Sequence, residues 1–393
     1  MFHKLRLAGI VLTASLAACG GSDSAGQPAA STGLNQAALL GQKIFSDQSL
    51  SASGKQSCAS CHDPAFGHAQ NNGEPVQFGG PNGDAQGFRA APSLRYRNEV
   101  PVFAFDKEGT PIGGQTRDGR APSLAAQAAV PFVAPHEMAN TKEAIVAAIK
   151  AGPYAAQFRQ AFGAAIFDDV EQAFARVTFA VQQYQLEDPQ FHPFDSKYDL
   201  FLAGKASLGE AELRGLALFN RPDKGNCAAC HTSARGANGA APLFTDFSFD
   251  NLGVPRNAAI KATANPAYFD LGLCGPDRLD LAVRLDLCGA FQVPTLRNVA
   301  TRKVFFHNGS FNQLSEVVRF YVQRDTNPGD WYPTVGGVVE KYNDLPAAYR
   351  GNVNTSEAPY DRRLGEQPAL SSAEIADVVA FLRTLTDADL SNP

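Results

Sequence analysis

The sequence predicts a mainly α-helical protein made of two similar domains with long ordered loops, and three observations carry that prediction. Apolar residues recur at helical spacing in several separate segments, whereas no run of strand alternation stands out. The motif Cys-x-x-Cys-His occurs twice, at Cys58-Ala59-Ser60-Cys61-His62 and at Cys227-Ala228-Ala229-Cys230-His231, 169 residues apart. A short block precedes each copy as a weak internal repeat: Gly41-Gln42-Lys43-Ile44-Phe45 before the first, Gly215-Leu216-Ala217-Leu218-Phe219 before the second. Two thiols at that spacing can each bond one vinyl group of the same porphyrin, and the histidine that follows is placed to ligate the iron. Each domain is therefore expected to be cytochrome-c-like and to hold one haem c, through Cys58, Cys61 and His62 in one and Cys227, Cys230 and His231 in the other. Zinc is the competing occupant of paired Cys-x-x-Cys motifs, but both pairs run straight into histidine in a chain that opens with an export signal.

Taken in order, residues 1–18 read as a lipoprotein signal, with Lys4 and Arg6 ahead of an apolar run that leads into Leu16-Ala17-Ala18-Cys19. Cys19 would become the first mature residue and carry lipid, so the apolar run is a removed segment and not a membrane span. Residues 19–33, rich in Gly, Ser and Ala, have too little apolar content to fold and read as a flexible tether. Residues 34–195 and 196–393 then form the two domains, one motif in each. In the first, the Gly41 block reads as a helix leading into the haem loop, and 141–150, 154–162 and 170–184 read as further helices. In the second, Ser207-Leu208-Gly209-Glu210 reads as a capping box opening a helix with Leu213, Leu216 and Phe219 on its apolar stripe. Leu314, Val317, Val318 and Tyr321 mark another helix, and Ser371-Ser372-Ala373-Glu374 caps the last, where Ile375, Val378, Val379, Leu382 and Leu385 recur at helical spacing. Segments 233–289 and 325–369 read as long ordered loops, the second held against the body by Trp331, Tyr332, Tyr342, Tyr349 and Tyr360.

Removing Lys4 and Arg6 with the signal leaves 32 basic against 39 acidic side chains, a formal charge of −7. Nucleic acid is therefore not an expected partner, while an acidic surface suits a basic electron donor. Of seven cysteines, the lipid site and the two motifs account for five, which leaves Cys274 and Cys288. In an oxidising compartment these are expected to pair, and closing a loop of that size stabilises by roughly 3 kcal/mol in the chain-entropy model.

A haem has a second face, and the sequence restricts what can stand there. Methionine occurs only at Met1 and Met138, so at most one haem can be His/Met ligated. The other candidates are His68, His136, His192, His307, a tyrosine, or an open site that admits peroxide. Beyond these residues, ordered blocks run through the chain: Leu40-Gly41 to Phe45, Leu50-Ser51, 57–64, Arg89 with Ala91-Pro92-Ser93-Leu94, Asp118-Gly119-Arg120, Ser123-Leu124, Gln127-Ala128, Pro131 and Glu137-Met138. The second half adds its own Cys-x-x-Cys-His, 291–298, Phe306-His307-Asn308-Gly309 and 379–385. Together, over 39–385, these resemble the bacterial di-haem cytochrome c peroxidase and MauG superfamily.

The resemblance implies that the haem at His62 is the peroxidatic one and that the haem at His231 passes electrons. It places Glu137 at the catalytic glutamate, which would take a proton from one peroxide oxygen and deliver it to the other. It also places Gln127 and Pro131 in the distal pocket, Gln127 to orient peroxide and Pro131 to shape the wall. The implied activity is reduction of hydrogen peroxide to water in the periplasm by an enzyme tethered through lipidated Cys19, with electrons from a small cytochrome c or a cupredoxin. The alternatives are a MauG-like oxidase that modifies a partner protein substrate, and a non-catalytic di-haem electron carrier.

Four positions depart from the family pattern or qualify it. Counting from His307 without a gap, Tyr321 falls where many peroxidases carry the methionine ligand of the second haem and where MauG carries tyrosine. It is expected to ligate that iron, against the simpler role of a buried aromatic on its helix stripe; an oxygen donor lowers the potential relative to a thioether. Arg117 stands where the family often has tryptophan between the haems, which removes an indole route for holes and opposes the MauG-like reading. Ala90 replaces a common calcium-ligating asparagine, and the paired carbonyl positions fall on Arg302 and Val304, so calcium would have only carbonyls and waters. His68, six residues beyond His62, reads as a loop or pocket-edge histidine.

Overall fold

The computed structural model describes residues 34–391; the signal expected at 1–18, the tether at 19–33 and the lipid site Cys19 lie outside them. Among the described residues the helices are α1 (Gln36–Ser46), α2 (Cys58–Cys61), α3 (Leu124–Val133), α4 (Lys142–Ala151), α5 (Ala155–Phe162), α6 (Val170–Glu187), α7 (Lys197–Leu202), α8 (Glu210–Asn220), α9 (Leu314–Gln323) and α10 (Ser372–Arg383). Strand is confined to antiparallel pairs of two residues each: β1 (Phe78–Gly79) with β2 (Ala85–Gln86), β3 (Ala104–Phe105) with β4 (Pro111–Ile112), β5 (Phe249–Asp250) with β6 (Phe291–Gln292), and β7 (Thr334–Val335) with β8 (Val338–Val339). The protein is mainly α, as its periodicity predicts, and none of the described helices is long and apolar enough to cross a membrane.

Caps explain where most helices start. Thr141 accepts the Ala144 amide at 3.2 Å to open α4, and Asp169 accepts that of Gln172 at 3.0 Å to open α6. Ser371 and Glu374 cap α10 reciprocally, the Ser371 amide donating to the glutamate at 2.8 Å and the Glu374 amide to the hydroxyl at 3.3 Å. α8 departs from the expected box: it begins at Glu210, and the Gly209 amide donates to Glu212 Oε2 at 2.6 Å, leaving Ser207 outside. That later frame keeps Leu208 buried in the core. Two helices go beyond the sequence reading. α3 contains Pro131, which suggests a break, but the proline sits in its last turn and the Ser123 cap, accepting from Ala126 at 3.1 Å, fixes its start. α7 is one capped turn and a half, too short for periodicity to show.

Apolar side chains gather in two main clusters, drawn from 40–191 and 198–385. The first joins Ile44 and Phe45 of α1 to Phe132 of α3 and Phe174 and Val177 of α6. The second joins Phe219 of α8 to Val318 of α9 and to Val378, Phe381 and Leu382 of α10. Phe320, Tyr332, Tyr342, Leu345 and Val353 form a smaller third cluster with Trp331 packed on it, which holds the 325–369 loop through three of the five expected aromatics; Tyr349 and Tyr360 lie outside it. Cys274 and Cys288 form the expected disulfide.

The repeated glycine has a packing cause. A Cβ at Gly41 would lie 2.0 Å from the Ala180 carbonyl oxygen of α6, and one at Gly215 would lie 2.0 Å from the Asp377 carbonyl oxygen of α10. Each marks the point where two helices cross in backbone contact. Alanine normally favours an exposed helix interior by about 1 kcal/mol over glycine. At these crossings Gly41→Ala or Gly215→Ala is instead expected to destabilise by about 1–3 kcal/mol through overpacking, read from denaturation midpoints; an unchanged or raised midpoint would show that the crossings open freely.

Candidate active site

The first motif sits on α2, where the Ser57 amide donates to Ser60 Oγ at 3.0 Å and the two cysteines remain free. His62 ends this turn, with Nδ1 3.0 Å from the Pro92 carbonyl and 3.3 Å from that of His68. Two carbonyl acceptors fix Nδ1 as the protonated nitrogen, so Nε2 keeps its lone pair. Burial lowers the pKa of His62 to about 4, which keeps the ring neutral at ordinary pH. His68 is not at a pocket edge: it is fully buried, stacked on Phe191 at 4.0 Å, and neither ring nitrogen has a hydrogen-bond partner. Its contribution to the site is its carbonyl.

Glu137 lies in the turn after α3. Its amide donates to the Ala134 carbonyl at 3.0 Å, and its own carbonyl accepts the Gly80 amide at 2.7 Å. Gly79 is required beneath it, because a Cβ there would come within 2.5 Å of the His136 and Glu137 carbonyl oxygens. The Met138 carbonyl accepts the Ala52 amide at 2.9 Å, which ties the Glu137 turn to the chain just ahead of the first motif; burial above all raises the pKa of Cys58 and Cys61, and the charge of Glu137 adds a smaller push to both. Although 44% of the side chain is open, the protein around it dehydrates the carboxylate enough to raise its pKa to about 7, with Arg120 pulling down and Asp277 pushing up. Gln127 is half-buried on α3, and none of the described hydrogen bonds uses its side chain. The Pro131 carbonyl accepts the Met138 amide at 3.0 Å and turns the chain inward, so Met138 is buried in the first core.

The second motif follows Asn226, whose left-handed backbone starts a 3₁₀ turn and whose side chain donates to the Ala358 carbonyl at 3.0 Å. His231 Nδ1 donates to the Phe244 carbonyl at 2.8 Å, the same arrangement as at His62. Cys227, Cys230, His231, Phe219, Tyr321 and Tyr360 line one cavity. Tyr321 reaches it from α9, and none of the described hydrogen bonds uses its hydroxyl; burial above all, then the charge of Asp250, pushes its pKa up. His307 also lines the cavity, but its ring is stacked on Phe291 at 3.8 Å.

Arg97, Arg117 and Arg302 border the same cavity. Arg117 donates to the Ala90 carbonyl at 2.9 and 3.0 Å, Arg302 to that of Ala91 at 3.0 Å, and Arg97 to Gln115 and Gln292. Among the described residues none of the three has a carboxylate partner. Burial lowers Arg117 to about 9 and the other two to about 10, so all remain cationic at neutral pH. Unpaired buried cations at this density leave a demand for anions.

A family model described as di-haem cytochrome c peroxidase matches residues 35–207. The chain is 32% identical over 391 residues to the methylamine utilization protein MauG of Paracoccus denitrificans, covering 98% of this chain and 96% of that protein. It is 32% identical over 324 residues to the cytochrome c551 peroxidase of Nitrosomonas europaea, covering 79% and 80%. The crystal structure of the diheme peroxidase BthA from Burkholderia thailandensis superposes with a TM-score of 0.84 at 40% identity, covering 91% of this chain and 87% of that one. The chain belongs to the di-haem cytochrome c peroxidase and MauG family. It is thereby an oxidoreductase of a family that implies two haem c groups, and its relatives are named both as cytochrome c peroxidases and as MauG.

The side chains present fit that group. Each motif offers two free thiols and an imidazole whose Nδ1 is held by a carbonyl, which leaves Nε2 for iron. The unpaired arginines fit the two propionates that each haem c carries. Zinc fits less well, since the two Cys-x-x-Cys pairs pack in different clusters. Sequence reasoning missed Arg97 and Asp277 and read Arg302 only as a carbonyl position. No local pattern marks them, because their role comes from contacts between distant segments.

Proposed function

We propose that this di-haem family member reduces hydrogen peroxide to water beside Cys58, Cys61, His62 and Glu137, with electrons entering through the His231 cavity. What supports this most is Glu137, in a turn tied to the chain ahead of the first motif by the Ala52–Met138 hydrogen bond, with a carboxyl whose pKa burial raises to about 7. Residues 34–195 would form the peroxidatic domain and 196–393 the electron-transfer domain. Cys58, Cys61 and His62 would hold one haem c, and Cys227, Cys230 and His231 the other. When bound, these groups supply the iron at which peroxide is reduced and the redox storage for the electrons. Glu137 takes the proton from one peroxide oxygen and returns it to the oxygen that leaves as water; a carboxyl near half-ionisation at neutral pH can do both. Gln127 orients the peroxide through its amide, and Pro131 shapes the wall above it. Tyr321, which lines the same cavity as His231, would offer its phenol oxygen to that haem's iron.

The donor would be a small cytochrome c or a cupredoxin drawn to an acidic surface, and the setting the periplasm, with lipidated Cys19 as the anchor. No calcium is assigned at Ala90, because its carbonyl already accepts the Arg117 guanidinium. A MauG-like oxidation of a partner protein is the second reading. Tyr321 at the second cavity and the MauG relative that spans the chain favour it, and Arg117 in place of an indole opposes it.

Three measurements test this. Replacing both cysteines of one motif by alanine should leave one covalently held haem per chain by pyridine haemochrome counting; two would overturn the attachment. Glu137→Gln should retain both haems yet cleave peroxide roughly 100-fold more slowly. The wild-type rate should rise with pH through about 7 as the carboxylate forms, and the variant should lose that rise. Tyr321→Phe should alter the low-spin electron paramagnetic resonance signal of one haem and spare the high-spin signal of the other, and an untouched low-spin spectrum would remove Tyr321 as a ligand.

A further inference from the structure

Pro92, whose carbonyl holds the His62 imidazole, also lines the second cavity. The segment it belongs to, 90–92, is neither helix nor strand, and its backbone is held from several directions. Ala90 donates its amide to the His307 carbonyl at 2.7 Å and Ala91 donates to Gln70 Oε1 at 3.0 Å, while Pro92 has no N–H to place. Each of the three successive carbonyls has a different donor. Ala90 accepts Nε and Nη2 of Arg117 at 3.0 and 2.9 Å, Ala91 accepts Nη2 of Arg302 at 3.0 Å, and Pro92 accepts Nδ1 of His62 at 3.0 Å.

Satisfying two carbonyls does not call for two half-buried cations, since water or a neutral amide would serve without the cost of dehydrating a charge. Both guanidiniums border the cavity of His231 and Tyr321. In the described hydrogen bonds Arg302 leaves Nε and Nη1 unused, and Arg117 leaves Nη1. Those N–H groups remain for an anion in the cavity, which the propionates of a haem c supply. What the arginines fix on their other side bears on His62. A ligating histidine takes its ring direction and basicity from the acceptor at Nδ1, and the nearer acceptor here is Pro92, at 3.0 Å against 3.3 Å for His68. Proline fixes φ, so a single rotation separates the Pro92 carbonyl from the peptide unit that Arg302 holds.

We propose that Arg117 and Arg302 are positioning residues for His62 that act from the second cavity. Each holds a carbonyl of the 90–92 segment with part of its guanidinium and the group bound beside His231 with the rest. The assignment rests on a haem c at each motif. It makes the hydrogen bond at His62 Nδ1 depend on side chains that border the other centre.

The test uses the holoenzyme, with one reading at each haem. In the reduced protein, the iron–histidine stretching band of the resonance Raman spectrum reports the His62 ligand, because a stronger bond at Nδ1 makes the imidazole a stiffer donor. Arg117→Ala and Arg302→Ala should shift that band to lower wavenumber. Arg117→Gln places an amide nitrogen where Nε stood, so it keeps the bond to Ala90 without the charge. It should leave the band in place while lowering the reduction midpoint of the haem at His231, since a nearby cation favours the reduced state. Arg302→Lys, which keeps a donor of similar reach, should restore the band. A band unmoved in both alanine variants, or moved as far in Arg117→Gln as in Arg117→Ala, would overturn the positioning of His62. A midpoint unmoved in Arg117→Gln and in both alanine variants would overturn the contact with the second haem. Arg302→Leu takes the place of an alanine variant that fails to accumulate. Failure of the underlying reading is separate, because it appears as fewer than two covalent haems in the wild-type chain.

Discussion

The surroundings of Glu137 depend on one guanidinium in the protein interior. Arg89 binds Asp270 through two nitrogens, at 2.6 and 2.7 Å, and Asp118 through a third, at 2.7 Å. Asp118 in turn holds Arg120, and its backbone carbonyl holds Arg278. Segments far apart in the chain are thereby fixed around one charge centre. Removing one partner of such a buried set leaves an uncompensated charge, at a cost of about 3–5 kcal/mol. Burial alone would raise the pKa of Asp118, yet Arg89 and Arg120 hold it at about 2. Its contribution to stability is therefore complete above the ordinary carboxylate range and is lost as pH falls towards 2.

Much of this was legible in the sequence, and the boundary follows from the range of the interactions. Helices set by their own caps and stripes, such as α4, α6 and α10, could be read directly, since a cap acts over three residues. The repeat of Gly41 and Gly215 was visible, although its cause, a helix crossing in backbone contact, was not. α3 was not read from the sequence, where Pro131 stood only as a pocket-wall position; it lies in the last turn of that helix. Glu137 and Tyr321 were found through family resemblance and not through any local signal. His68 was read as a loop or pocket-edge histidine from its place six residues beyond His62, whereas Phe45 and Phe191 enclose its ring. Asp277 was out of reach altogether, since nothing near it in sequence shows that it will face Arg120.

Charge also shapes the second cavity. Three guanidiniums without carboxylate partners among the described residues border it, and Tyr321 lines the same space. Cations favour the reduced, more negative state of any group bound there, and an oxygen donor favours the oxidised one. With Tyr321 as a ligand, as proposed, the two influences would oppose each other and leave an intermediate potential.

The half-buried motif thiols carry a consequence for how the molecule is made. Burial, first of all, raises Cys58 to about 12 and Cys61 to about 11, and both Cys227 and Cys230 to about 12. At neutral pH roughly one thiol in ten thousand or fewer would be the reactive anion. A chain that reached this tertiary structure without its prosthetic groups would have shut its own attachment points, protected from stray disulfides but also closed to thioether chemistry. Attachment is thereby favoured while the motif loops are still open to water, with tertiary closure afterwards.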